Sequence, residues 1–201
     1  MSETALLSEL TALELADFHI NQKPLLKFRE LLGFLFDNRL QANVELKAEN
    51  PKRAMALGRS VQLVLNSLTP DEQQEVQKTW VFSSFFHASL IALDGYRRAL
   101  LYEVLEPGWQ RRALALQAEA VHLGLQGLTV QAVHSVLEHG LQVRVYTVND
   151  ASQALQLQGL GVHAIFTDHL RIGLDIAERV GLDIESIGLN ANPTPAHVQN
   201  P

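Results

Sequence analysis

Apolar positions along the chain alternate between two patterns. Short apolar runs at 42–47, 80–84, 99–103, 118–123, 142–148 and 164–167 predict strands. Between them, apolar residues recur at helical spacing. Leu26, Leu31, Leu32, Leu35 and Phe36 share one face of a helix predicted over 24–38, and Val61, Leu63, Val64 and Leu65 close a second. The helix starts are marked by caps. Thr69-Pro70-Asp71-Glu72 combines a capping box with proline at the first helical position. Thr129 opens a helix over 130–139 that Gly140 can end, and Asp150 opens another over 151–158 before Gly159 and Gly161.

Strand and helix alternating at steps of roughly 20 residues predict parallel strands joined by right-handed crossovers. Runs such as 143–148 read as nearly all apolar on both faces, as a helix-covered sheet requires. The candidates are an open doubly wound sheet and a (β/α) barrel. About six strands can be counted, while a closed eight-stranded barrel typically takes roughly 250 residues. The chain therefore reads as two units short of a barrel. Residues 1–189 form the predicted domain, with a short helix over 10–18 and a late helix near 174–180. Residues 190–201, rich in Asn, Pro and small residues, read as a mobile tail.

Composition narrows the function classes. Hydrophobic residues make up 47% and charged residues 19%, enough for a full core. A formal charge of −6 argues against a general nucleic-acid or anionic-membrane binder. With no cysteine, disulfides and thiolate chemistry are excluded, and any metal must sit on carboxylates, histidines or carbonyls. No apolar run approaches a membrane span and the amino terminus is acidic, so the expected setting is the cytoplasm.

In parallel α/β folds the chemistry collects at the carboxyl ends of the strands. Those ends carry Glu45 and Lys47, Ser83-Ser84-Phe85, Glu103, His122, Thr147-Val148-Asn149 and Thr167-Asp168. Glu45 and Lys47 are two apart and point to one side of a strand. They read either as a buried salt bridge or as a metal ligand beside a phosphate-binding cation. Among the eight histidines, His122 is placed to reach a pocket, and His87 is expected at the surface. His163 sits at the amino end of its strand, away from the chemistry. His134 and His139 are spaced too awkwardly for a shared metal face. The pairs Arg97-Arg98 and Arg111-Arg112 are expected to be solvated.

Five segments in order carry a resemblance. Asn43-Val44-Glu45-Leu46-Lys47, Ser83-Ser84-Phe85, Val145-Tyr146-Thr147-Val148-Asn149, Gly161-Val162 and Ile165-Phe166-Thr167-Asp168 resemble the glycerophosphodiester phosphodiesterases. The likeness runs from about residue 6 to 170 and is nearest to the bacterial cytoplasmic members, through 100–103, Trp109 and Val121-His122-Leu123. It implies a (β/α)8 TIM barrel that hydrolyses glycerophosphodiesters to glycerol 3-phosphate and an alcohol with a divalent cation, Mg²⁺ or Ca²⁺. By this resemblance Glu45 is a metal ligand and Lys47 contacts the phosphate. Phe85, Tyr146 and Asn149 then line the pocket rim, and His122 joins the substrate-binding set.

The family's opening His-Arg-Gly strand, Glu-x-Asp strand and His-Asp pair have no counterpart in this sequence. They would supply the acid/base histidines and the remaining metal carboxylates. An acid or base contributes roughly 10²–10⁴-fold, so this chain is expected to show little or no catalysis. The expectation is a barrel that lacks its first two strands. The rival is a non-catalytic remnant that binds phosphate esters through Lys47 or self-associates through the open sheet edges at 42–47 and 164–167.

Overall fold

Local chemistry at the helix starts fixes where the elements begin. Thr69 Oγ1 accepts the Glu72 N–H at 3.3 Å while Glu72 accepts the Thr69 N–H at 2.7 Å, closing the predicted capping box. Thr129 Oγ1 accepts from Ala132 N at 3.1 Å, and Asp150 Oδ1 accepts from Gln153 N at 2.8 Å. Gly140 ends its helix with a φ of 73°, as its lack of a Cβ permits.

The structure is a computed structural model that describes residues 19–20, 23–24, 26–169 and 171–179. The expected helix over 10–18 and the expected tail over 190–201 lie outside the described residues. Two short strands, β1 (His19–Ile20) and β2 (Lys23–Pro24), pair antiparallel where no strand was expected. Then follow α1 (Phe28–Asp37), β3 (Asn43–Glu45), α2 (Pro51–Asn66), α3 (Pro70–Thr79), β4 (Val81–Ser84) and β5 (Arg97–Tyr102). The second half runs α4 (Trp109–Ala115), β6 (Ala120–Gly124), α5 (Val130–Glu138), β7 (Gln142–Tyr146), α6 (Ala151–Gly159), β8 (Ala164–Ile165) and α7 (Ile172–Arg179).

Strands β3 to β8 form one six-stranded parallel sheet in chain order, a curled part of a (β/α) barrel. Alternation divides its two faces. Phe82, Leu100, Val121, Leu123, Val143 and Val145 point outward and join the main core with Leu32, Leu65, Val133, Val136 and Leu157 from the helices. The concave face holds a small buried cluster of Val81, Ala99 and Ala120. Polar side chains lie on both sides of this cluster: Arg97 and Arg144 meet Glu119 toward the amino ends of the strands, and Glu45 and His122 stand toward the carboxyl ends. Among the described residues β3 pairs with β4 alone and β8 with β7 alone, leaving an edge on each.

The β4–β5 connection departs from the βα rule. A 3₁₀ turn (His87–Leu90) replaces a full helix. It seats against α2 at Gly58, where an added Cβ would lie 2.0 Å from the Ser89 carbonyl oxygen.

Several expectations need correction. Leu26 precedes α1 and is exposed, so it does not share the buried helix face. Strand β5 begins at Arg97 rather than residue 99, and Arg98 lies inside it, 5% exposed, instead of solvated. Its long aliphatic stem lets a charged residue take an outward core position. Arg112 is half-buried, donating from Nε to Tyr102 Oη at 2.9 Å with its guanidinium over that ring, whereas Arg111 is exposed as expected. His87 is also half-buried, with Nε2 3.3 Å from the Leu101 carbonyl oxygen.

Candidate functional site

The period of two along β3 turns Asn43, Glu45 and Lys47 to the concave side. There they line a cavity of about 450 Å³ with Phe85, Glu103, His122, Tyr146 and Asp168. Apart from Asn43, which opens β3, these side chains come from the carboxyl halves of the six parallel strands or the residues just after them, so β3 and β8 both contribute to one cavity.

Lys47 Nζ lies 3.6 Å from Glu45 Oε2, and its side chain is 80% exposed. The pair is therefore not a buried salt bridge; the ammonium is ion-paired to Glu45 but exposed at the mouth. Asn43 Nδ2 donates to Ser83 Oγ at 3.1 Å, and Ser84 Oγ donates to the Leu46 carbonyl at 2.6 Å. Those two serines bind the segment 43–46 to β4 from opposite faces of the sheet.

His122 is 1% exposed, and its Nε2 is buried without a hydrogen-bond partner among the described residues. Burial, with Arg144 nearby, brings its pKa from 6.5 down to about 3. The ring is neutral near pH 7 and offers one unpaired nitrogen to the cavity. Phe166 packs against it at 5.0 Å.

Tyr146 Oη is likewise buried and makes no hydrogen bond of normal geometry among the described residues, although Glu103 stands beside it. Burial, then the Glu103 and Glu45 carboxylates, push the phenol well above its usual range, so it remains protonated. Phe85 meets the Tyr146 ring edge-on at 6.1 Å and exposes much of its own face at the rim. Asn149 is not among the lining residues. Its carboxamide accepts from Asp168 N at 3.0 Å and Thr167 Oγ1 at 3.0 Å and donates to Asp168 Oδ2 at 3.1 Å.

Glu103, Asp168, Asn43 and Thr147 line the cavity without having been assigned to a site. Glu103 and Asp168 stand at strand ends in the sequence, and Gly124 offers a further signal for Glu103. A Cβ at Gly124 would sit 2.7 Å from a Glu103 carboxylate oxygen, so glycine keeps that position open.

Among the described residues no group of three His, Cys, Asp or Glu side chains could hold a metal ion. A hard cation takes about six or more oxygen ligands, and Glu45 offers one carboxylate already facing Lys47. The described residues alone do not fit a divalent-cation site. Among them, no helix is long and apolar enough to cross a membrane.

The profile of the Glycerophosphoryl diester phosphodiesterase family matches residues 3–172. No curated protein sequence matches the chain. Among solved structures, it resembles a phosphodiesterase of Oleispira antarctica in complex with the product sn-glycerol-3-phosphate. That match has a TM-score of 0.65 at 23% identity, over 80% of this chain and 63% of the other. A glycerophosphodiester phosphodiesterase of Parabacteroides distasonis aligns with a TM-score of 0.66 at 18% identity, over 85% and 72% of the two chains. At these identities the structural likeness establishes the fold. The chain spans less than two thirds of the Oleispira protein.

Proposed function

The chain belongs to the Glycerophosphoryl diester phosphodiesterase family, and from that premise we propose that its cavity binds the phosphoglycerol part of glycerophosphodiesters. One observation carries this reading. Lys47, a neutral His122 and a protonated Tyr146 converge on one cavity at the carboxyl ends of the strands. Lys47 supplies the cation for a phosphate oxygen, as its exposure at the mouth supports. The Tyr146 hydroxyl and the unpaired His122 nitrogen supply hydrogen bonds to phosphate or glycerol oxygens, and Phe85 covers the glycerol carbons. Asn149 acts through Asp168, which it holds in place.

The proposed reaction is the family's: hydrolysis to glycerol 3-phosphate and an alcohol. The chain as given is proposed to bind these esters with little or no turnover. His122 stays neutral far below pH 7 and is a poor proton donor, and the His-Arg-Gly, Glu-x-Asp and His-Asp segments have no counterpart. Members of the family generally use a divalent cation, and Glu45 is the proposed metal-facing carboxylate. Because the described donor set does not make a cation site, no step is routed through one. A cytoplasmic setting is part of the same proposal.

The test is release of glycerol 3-phosphate from glycerophosphocholine by the 201-residue chain, with and without Mg²⁺ or Ca²⁺ and with Glu45→Ala beside it. No release with retained binding supports the reading; release lost in Glu45→Ala overturns the assignment of inactivity. A second reading, self-association, is favoured by the single pairing partner of β3 and of β8 among the described residues. A monodisperse monomer in size-exclusion chromatography would reject it.

A further inference from the structure

The replacement of a full helix by the 3₁₀ turn (His87–Leu90) leaves a cavity of about 630 Å³ on the convex side of the sheet. Its walls include Ile91, Asp94, Arg98, Arg112 and Leu116, and it lies outside the cavity of Lys47 and His122. Arg98 is the unusual member. Its side chain is 6% exposed, yet among the described residues its charge is matched by one carboxylate, Asp94, 3.1 Å away and itself 81% exposed. The same Nη2 donates to Gln117 Oε1 at 3.3 Å. Arg98 Nε is buried and has no hydrogen-bond partner among the described residues.

A guanidinium removed from water keeps its charge and needs its N–H donors filled. A solvated Asp94 is a weak counterion, because water competes for its carboxylate. The second guanidinium at the wall, Arg112, is engaged with Tyr102 Oη at 2.9 Å and with Glu106 at 3.2 Å. The cavity thus has at its wall a buried cation with one N–H that no described group fills, a second cation at its border and an apolar rim. Ile91, 58% exposed, and Leu116 form that rim. Charge-assisted N–H bonds to a carboxylate or phosphate are among the strongest available here, and an apolar chain would cover Ile91.

We propose that this cavity is a binding site for a small organic oxyanion, a carboxylate or phosphate ester carrying a short apolar chain, held by Arg98. The proposal is independent of the phosphoglycerol reading, since none of its residues lines that cavity.

Hexanoate, hexyl phosphate, inorganic phosphate and, as a charge control, hexyltrimethylammonium are titrated into the full 201-residue chain. Calorimetry gives affinity, and the ¹⁵N–¹H resonance of Arg98 Nε reports the contact. The expected result is saturable binding of hexanoate or hexyl phosphate with a shift of that resonance, and weaker binding of inorganic phosphate. The stronger of the two hexyl ligands identifies the head group. Two variants use exposed positions, and thermal melting of each checks that the chain stays folded. Ile91→Glu sets a like charge at the rim and weakens binding by about tenfold, while Asp94→Asn removes the competing carboxylate and tightens it. An unmoved Arg98 resonance at the highest ligand concentrations overturns the proposal. Equal binding of hexyltrimethylammonium, or affinities that neither variant changes, does so as well.

Discussion

Asn149 and Asp168 are tied by two hydrogen bonds: the Asn149 carbonyl oxygen accepts the Asp168 N–H at 3.0 Å and its amide donates to the Asp168 carboxylate at 3.1 Å. The tie joins the segment after β7 to the segment after β8 and sets Asp168 at the wall of the cavity. Asn149→Ala should therefore loosen Asp168 more than it unsettles the fold. The expected loss is about 0.5–1.5 kcal/mol per hydrogen bond removed at most, less at this exposed position. Glycerol 3-phosphate affinity should fall about threefold through the misplaced loop. Thermal melting and calorimetric titration of the variant check both parts.

His122 gives stability a pH dependence of definite sign. Its pKa in the fold is about 3 against the usual 6.5, so the unfolded chain takes up a proton more readily. The stability owed to its neutral burial is complete above pH 6.5 and is lost progressively as pH falls from there toward about 3. The slope approaches about 1.4 kcal/mol per pH unit at most. His122→Gln should flatten that part of the curve, which chemical denaturation between pH 7 and 4 would reveal.

Glu119 holds two arginines at the amino end of the sheet, accepting Arg97 Nε at 2.6 Å and Arg144 Nη2 at 2.8 Å. Glu119→Ala leaves both guanidinium groups beside one another without their shared carboxylate. A loss of about 2 kcal/mol is expected, below the range for fully buried pairs because all three side chains keep some water contact. The denaturant midpoint should fall with little change in slope.

Gly58 lets α2 approach the turn after β4. With the Ser89 carbonyl oxygen 2.0 Å from the place of a Cβ, Gly58→Ala must push the helix from the turn. Overpacking of this kind costs about 1–3 kcal/mol, partly offset by the helical preference of alanine. Gly159→Ala, where nothing lies within 4 Å of the added atom, is the matched control.

Much of this arrangement was legible in the sequence because it depends on local periodicity. The six parallel strands in chain order follow from short apolar runs alternating with helical spacing, although β7 departs from the reading of 143–148 as apolar on both faces: Val143 and Val145 turn outward while Arg144 and Tyr146 turn to the concave side. The caps at Thr69, Thr129 and Asp150 and the common side of Glu45 and Lys47 are equally local. What escaped depends on contacts distant along the chain. Arg98 reads as solvated until β5 takes it into the convex face, and Arg112 until Tyr102 lies beneath it. Glu103 is an ordinary strand-end carboxylate in sequence; Gly124 and Tyr146, brought alongside by the sheet, give it its place in the site. The loss of a helix after β4, which opens the Arg98 cavity, has no marker in apolar spacing.

The central claim is that the cavity of Lys47, His122 and Tyr146 recognises the phosphoglycerol group. Calorimetric titration of glycerol 3-phosphate into the 201-residue chain, beside Lys47→Met, tests it most directly. Lys47 is 80% exposed, so the substitution should leave the melting temperature unchanged while removing the phosphate-binding cation. The account predicts saturable binding that weakens by about tenfold or more in the variant. No binding by the unaltered chain, or equal binding by both, would contradict it.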